Sequence, residues 1–460
     1  MKAFVLAAIA AATALSACAP NMSAVTMDAP APASASFMAE TLPPMRLFGA
    51  TPAAAPTRSN TDMASDFLDL TFRLESGRTV PVLTRFEGPI SVRVTGLQPP
   101  SLMPDLTSLL SRLRNEAGLD IFYTNATDAS ITIEAIPRAT LQRAVPRAAC
   151  FVVPRVSSWS EYLAARRGPD LDWTTLTRRD HAAIFVPADV APQELRDCLH
   201  EELAQAIGPL NDLYLLPDSV FNDDNIHSVL TGFDMLVLRA YYAPELRNGM
   251  TRSDVAARLP AIFARYNPAG QYGKRGHHND TSRDWINAIE TALSTGGSPV
   301  ARRQSAERAI ALANAFGWDG VRVGFGQYAY GRLELRSNPQ AALEAFRQAF
   351  NAYGTTPSMR LHSAHVAAQL AAFSLSSGDT TTTLNLVEAA LPAAQQGQNA
   401  ALMSSLLMFK AEALELAGQR QEAAAVRLDS LGWARYAFGS ERSVRARMAE
   451  IAALAPPTTM

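Results

Sequence analysis

The stretch Cys198-Leu199-His200-Glu201-Glu202-Leu203-Ala204-Gln205-Ala206-Ile207-Gly208-Pro209-Leu210-Asn211 decides how this chain is read. At 100° per residue, Leu195, Leu199, Leu203, Ala206 and Ile207 share one face, the core side of an amphipathic helix. Pro192 suits the first turn of that helix, where a missing N–H costs nothing. Glu201 and Gln205 are four apart and neighbours on an adjoining face, with Glu202 between them and the apolar stripe. His200 points well away from that pair. Gly208 is expected to end the helix with a positive φ, which glycine adopts without steric cost. The expected product is a polar cluster of Glu201, Glu202, Gln205, Asn211 and Asp212 at the floor of a cleft, with Glu202 partly buried and hydrogen-bonded.

The same residues resemble the metzincin peptidase motif H-E-x-x-H-x-x-G-x-x-H with its histidines replaced. The ligand positions fall on Glu201, Gln205 and Asn211, the general-base glutamate on Glu202 and the turning glycine on Gly208. Ser219-Val220-Phe221 is similar to the methionine turn of those enzymes, and Leu230 to Leu236 with Tyr241-Tyr242 to their closing helix. Cys198 to Met250 resembles more closely a bacterial lipoprotein family catalogued as domain of unknown function 2927. The hallmarks are Glu201-Glu202-Leu203-Ala204-Gln205-Ala206-Ile207-Gly208, Asn211-Asp212, Ser219-Val220-Phe221 and Pro244 to Met250. These resemblances imply an α+β zincin-like domain. Catalytic zinc is usually held by imidazole, thiolate or carboxylate, whereas one carboxylate with two amide oxygens is nearer to a calcium-like set. No metal and no other cofactor is therefore expected.

Met1-Lys2 followed by the apolar run Ala3 to Ala14 has the form of a signal peptide, too short to span a bilayer. Leu15-Ser16-Ala17-Cys18 matches a bacterial lipobox, so residues 1–18 are read as a lipoprotein signal with Cys18 the lipidated residue. Residue 19 is Ala19 and not aspartate, which favours the outer membrane. The expected location is the cell envelope, facing the periplasm. Residues 19–60 are rich in Ala, Pro, Ser and Thr and are expected to form a disordered tether.

With 460 residues the chain can hold two or three domains. Hydrophobic residues make up 48% and the net charge is −2, which excludes nucleic acid as an expected partner. Of three cysteines, Cys150 and Cys198 remain once Cys18 is set aside. In an oxidising compartment they are expected to bond, the alternative being two buried thiols.

Residues 61–270 are read as the α+β domain. Phe67 to Arg73 and Val80 to Phe86 are expected as strands around a turn at Glu75-Ser76-Gly77-Arg78. Further strands are expected over Ile90 to Val94, Ile121 to Thr124, Ile131 to Ile136 and Ala182 to Val186, with a helix over Leu106 to Ala117. Residues 271–284, which include His277 and His278, read as a linker. Residues 285–460 are alanine-rich and helical in period. Breaks at Ser337-Asn338, Ser377-Gly378 and Ala417-Gly418 lie forty residues apart, the spacing of an α-solenoid. Leu414-Glu415-Leu416-Ala417-Gly418 before Glu422-Ala423-Ala424 resembles a tetratricopeptide repeat, though the period is longer than usual; a plain helical bundle is the alternative. Gly324-Phe325-Gly326 is too short for a dinucleotide fingerprint.

Three functions from different classes follow. One is an envelope lipoprotein with a non-zinc, zincin-like scaffold and a helical array that binds a protein partner. The second is an atypical metal-dependent peptidase or peptidoglycan hydrolase using Glu202 as general base. The third is a purely structural assembly lipoprotein in which the cleft is vestigial.

Overall fold

A computed structural model describes residues 42–49, 53–146, 148–273, 280–294, 296–318, 320–354 and 356–456. Cys18, His277 and His278 lie outside them. The chain divides into two compact units. The first takes the described residues that fall within 53–190 and 194–281; the second takes 42–49, 191–193 and the described residues that fall within 282–456.

The first unit opens with helix α1, Asn60–Thr71, capped by the Ser59 side chain, which accepts the Asp62 N–H. Met63, Phe67 and Leu70 are fully buried on one face. This overturns the strand expected over Phe67 to Arg73. Phe67, Leu68, Asp69 and Leu70 can be read with a period of two, but Met63, four residues before Phe67, fixes the helical period. Val80 to Phe86 is irregular and not a strand. The turn between them is real: Leu74 N–H donates to Arg78 O at 2.9 Å, Gly77 has φ +80°, and a single bridge joins Arg73 to Thr79.

Five strands follow: β1 Ile90–Gly96, β2 Ile121–Tyr123, β3 Ile131–Ile136, β4 Phe151–Pro154 and β5 Ala182–Pro187. They form one sheet in the order β2-β1-β3-β5-β4. All neighbours are parallel except β4, which runs antiparallel to β5 with Phe151 opposite Phe185. Parallel strands covered on both faces carry nearly continuous apolar runs, and β5, Ala-Ala-Ile-Phe-Val-Pro, is buried throughout. Helix α2, Leu102–Glu116, supplies Leu102, Leu106, Leu109, Leu110 and Leu113 to the core. The strand β4 and the short helices α3, Arg138–Ala144, and α4, Trp159–Ala165, were not anticipated. Around β4 the aromatic rings of Phe151, Trp159, Tyr162 and Phe185 pack with centroids 5.0–6.3 Å apart. Helices α5 Pro192–Ile207, α6 Gly232–Tyr241, α7 Arg252–Ala256 and α8 Leu259–Tyr266 complete the unit.

The second unit is helical: α9 Arg283–Leu293, α10 Pro299–Ala315, α11 Val321–Glu334, α12 Pro339–Tyr353, α13 Arg360–Ser376, α14 Thr380–Gln396, α15 Ala400–Leu416, α16 Arg420–Phe438 and α17 Glu441–Ala452. Turns fall where the forty-residue spacing puts them. Asn338 caps α12 by accepting the Ala341 N–H, while Gly378 and Gly418 take φ +76° and +81° between successive helices. The glycines of α11 have a packing role. A Cβ on Gly324 would lie 2.3 Å from the Tyr353 ring and one on Gly331 2.8 Å from the Phe346 ring. These pairs are seven apart on each helix, so α12 rests its aromatics on a bare stripe of α11.

The tether expected over residues 19–60 is corrected at its far end. Residues 42–49 lie against α16, and Arg58 is held by two carboxylates within the first unit. Among the described residues no helix is long and apolar enough to cross a membrane.

Candidate functional site

Helix α5 buries Leu195, Leu199, Leu203, Ala206 and Ile207 as its stripe requires. The end of the helix is held by side chains from elsewhere in the unit. Buried Arg179 donates from Nη1 to the carbonyls of Gln205 and Ala206, both at 2.7 Å, and from Nη2 to Gly208 O at 2.5 Å. Tyr242 Oη donates to Ile207 O at 2.8 Å. The carbonyls that a helix leaves unpaired at its C-terminus are thereby satisfied. A guanidinium is suited to this because its donors fan out in one plane.

Gly208 is needed for a reason other than the one expected. It does not have a positive φ. A Cβ there would lie 2.6 Å from Leu238 Cδ2 of α6, so glycine permits the close approach of that helix. Beyond it, the N–H groups of Leu210 and Asn211 both donate to Leu70 O at 3.2 Å, and Asn211 Nδ2 donates to Asp69 O at 2.9 Å. The turn is thus stitched to the last turn of α1, and Asn211 is directed there.

The other polar residues are gathered on one side. Glu202 is 3% exposed and Gln205 8% exposed. Gln205 Nε2 donates to Asp212 Oδ2 at 3.0 Å. The Val152 amide of β4 donates to Glu202, and Glu75, from the turn after α1, shares a hydrogen bond with Asp212. The disulfide between Cys150 and Cys198, as expected, ties the entry of β4 to α5. It holds the Val152 amide near the helix that carries Glu202.

The electrostatics follow from burying carboxylates beside one another. Burial, then the charges of Glu75 and Asp197, push the Glu201 carboxyl up to about 8. Burial, then Glu201 and Glu75, hold Glu202 well above the usual carboxylate range against the pull of the Val152 amide. Asp212 is also held well above it, by burial first and then by Glu75, Glu201 and Asp223. Each of these shifts favours the protonated carboxyl, the form that can donate in the hydrogen bond between Glu75 and Asp212. Such a set can donate and accept protons.

His200 has a different role. Burial, then Arg196 and Arg112, depress its pKa well below the usual value, and Nδ1 accepts the Leu230 N–H at 3.1 Å. It is a neutral core histidine. Asp234, fully buried on α6, anchors the segment Ser219-Val220-Phe221: Ser219 Oγ donates to it at 2.5 Å, Val220 N–H at 3.1 Å and Thr231 N–H at 2.7 Å. Burial pushes Asp234 up to about 6 despite these donors.

Of the sequence-derived site, Glu201, Glu202, Gln205 and Asp212 come together, while Asn211 serves the turn. Glu75, Arg179 and Val152 were missed. Only Glu75 left a trace, as the first residue of a recognisable turn. Among the described residues no group of three or more His, Cys, Asp or Glu is arranged to hold a metal ion.

No curated protein and no solved structure matches the chain. A family model described as a protein of unknown function, DUF2927, matches residues 60–261, from the first residue of α1 into α8. The cluster helix, its stitched turn and the Asp234-anchored segment all fall inside that match, and residues 60–261 belong to the DUF2927 family.

Proposed function

We propose that this chain is a cell-envelope lipoprotein whose first unit is a non-zinc, zincin-like scaffold and whose second is a tetratricopeptide-like array that binds a protein partner. In this reading Cys18 carries the lipid, and the protein faces the periplasm, with the outer membrane favoured. The order of strands, backing helix α2 and cluster helix α5 supports the zincin-like assignment. One observation carries the non-catalytic reading: the polar side chains are spent on the fold. Asn211 donates to Asp69 O and Gln205 to Asp212 Oδ2, while Glu202 accepts the Val152 amide. A metal would have to displace these contacts and ionise carboxyls whose charged form burial disfavours. Elemental analysis of protein purified without chelators or a histidine tag is expected to find no stoichiometric zinc. One equivalent, lost in Glu201→Ala, would overturn the reading. Membrane partitioning tests the anchor: Cys18→Ala is expected to release the protein into the soluble fraction.

The clustering of carboxyls whose pKa values are all raised favours a second reading, a hydrolase in which Glu202 and its neighbours exchange protons with a peptide or peptidoglycan substrate. Hydrolysis of such a substrate, abolished by Glu202→Gln with the fold retained, is the result expected of it.

A further inference from the structure

The segment Pro43-Pro44-Met45-Arg46-Leu47-Phe48 belongs to the second unit and lies against α16 without regular secondary structure. Its contacts are specific. Arg46 N–H donates to Gly432 O at 3.0 Å, and Arg435 Nη1 donates to Pro43 O at 2.7 Å. The Phe48 ring packs on Trp433 with centroids 4.4 Å apart, and the Arg46 guanidinium lies 5.9 Å from the same ring. Arg46 Nε is also 2.7 Å from Asp429 Oδ1.

Gly432 makes the approach possible. A Cβ there would stand 2.9 Å from Arg46 Cγ and 3.3 Å from Pro44 O. Glycine inside a helix is unfavourable, and here its bare surface is filled by the segment. The Arg46–Asp429 pair is half-exposed and adds little. The grip comes from the Phe48–Trp433 contact and the two hydrogen bonds to main-chain carbonyls. Pro43 and Pro44 lower the entropy lost on docking, because each fixes its φ near the extended value beforehand.

We propose that α16 is a receptor for a peptide segment, built from Asp429, Gly432, Trp433 and Arg435, and that its occupant is this chain's own Pro43–Phe48. The segment is a strap that fastens the N-terminal stretch to the helical unit. If Cys18 is the anchor, as the preceding reading has it, the membrane holds the molecule through α16. The strap itself does not depend on that reading.

Limited trypsin digestion of the full chain tests it, with cleavage after Arg46 followed by mass spectrometry. Cleavage there is expected to be slow in the unaltered protein and about tenfold faster in Gly432→Leu and in Trp433→Ala, because proteolysis follows the undocked population. Phe48→Ala changes the strap and not the helix, and is expected to give the same acceleration with unchanged circular dichroism and melting. Equal cleavage in Phe48→Ala and the unaltered chain would overturn the proposal. Protection lost on dilution would overturn it too, by making the occupant a second copy.

Discussion

Around Arg58 and around Glu202 the first unit buries charged residue types, and the two places deal with them in opposite ways. Burial works to lower the Arg58 pKa, but Asp218 and Asp66 outweigh it and the pKa rises. Arg58 Nη1 lies 2.5 Å from Asp66 Oδ2, Nη2 is paired with Asp218, and the guanidinium sits 4.2 Å from the Phe233 ring centroid. The cation therefore stays charged. At Glu202 the neighbours acting through charge are Glu201 and Glu75, so burial and repulsion push the same way and its pKa rises well above the usual carboxylate range. Burial alone does not settle the state of a charged residue; the sign of what is buried with it does.

The largest effect is expected from breaking the compensated place. Arg58→Met removes the guanidinium shared by Asp218 and Asp66, the latter 1% exposed. Stability measured by urea unfolding should fall by about 3–5 kcal/mol. Next comes the disulfide, which spans 48 residues and ties β4 to the acidic cluster. Replacing both Cys150 and Cys198 by serine should cost up to about 4 kcal/mol in the chain-entropy model. Thiol counting on denatured, unreduced protein should find neither cysteine free.

Arg179→Met should cost about 2–3 kcal/mol, since it strips donors from three buried carbonyls at the end of α5. Hydrogen exchange should quicken in the last turn of that helix more than elsewhere.

The smallest effect sharpens the comparison by changing its sign. Glu201 titrates at about 8 in the folded chain against an ordinary value of 4.5. Between those values the native state holds a proton that the unfolded chain has released. The stabilisation is thus complete below about pH 4.5 and is lost as pH rises toward 8. Glu201→Gln should flatten that decline and make the protein more stable at pH 8 by about 1–2 kcal/mol. Melting curves from pH 5 to pH 8 check it. A variant less stable than the parent at pH 8 would mean that the carboxylate is compensated after all.

The expectations that held were those written in short windows of sequence. The stripe of α5, the three central β strands and the forty-residue turns of the second unit each depend on residues a few places apart. The failures have separate causes. Phe67 to Arg73 looked like a strand because its window stopped short of Met63, and β4 was overlooked because Phe151-Val152-Val153-Pro154 is too brief to carry a period. Gly208 was assigned to a backbone conformation when its constraint is Leu238, thirty residues later.

The sequence by itself determined where α2, α5 and the helix pairs from α11 to α16 run, the places of β1, β2, β3 and β5, the buried stripe of α5, and that Glu201, Glu202 and Gln205 share one end of a helix. Those properties follow from backbone geometry and apolar period, which act locally. Only the tertiary structure decided that Glu75 joins that cluster, that Arg179 closes the helix beneath it, and that Pro43–Phe48 lies on Gly432. Each of these brings together residues far apart in the chain, and such contacts are chosen by the packing of the whole unit and leave no periodic mark in the sequence.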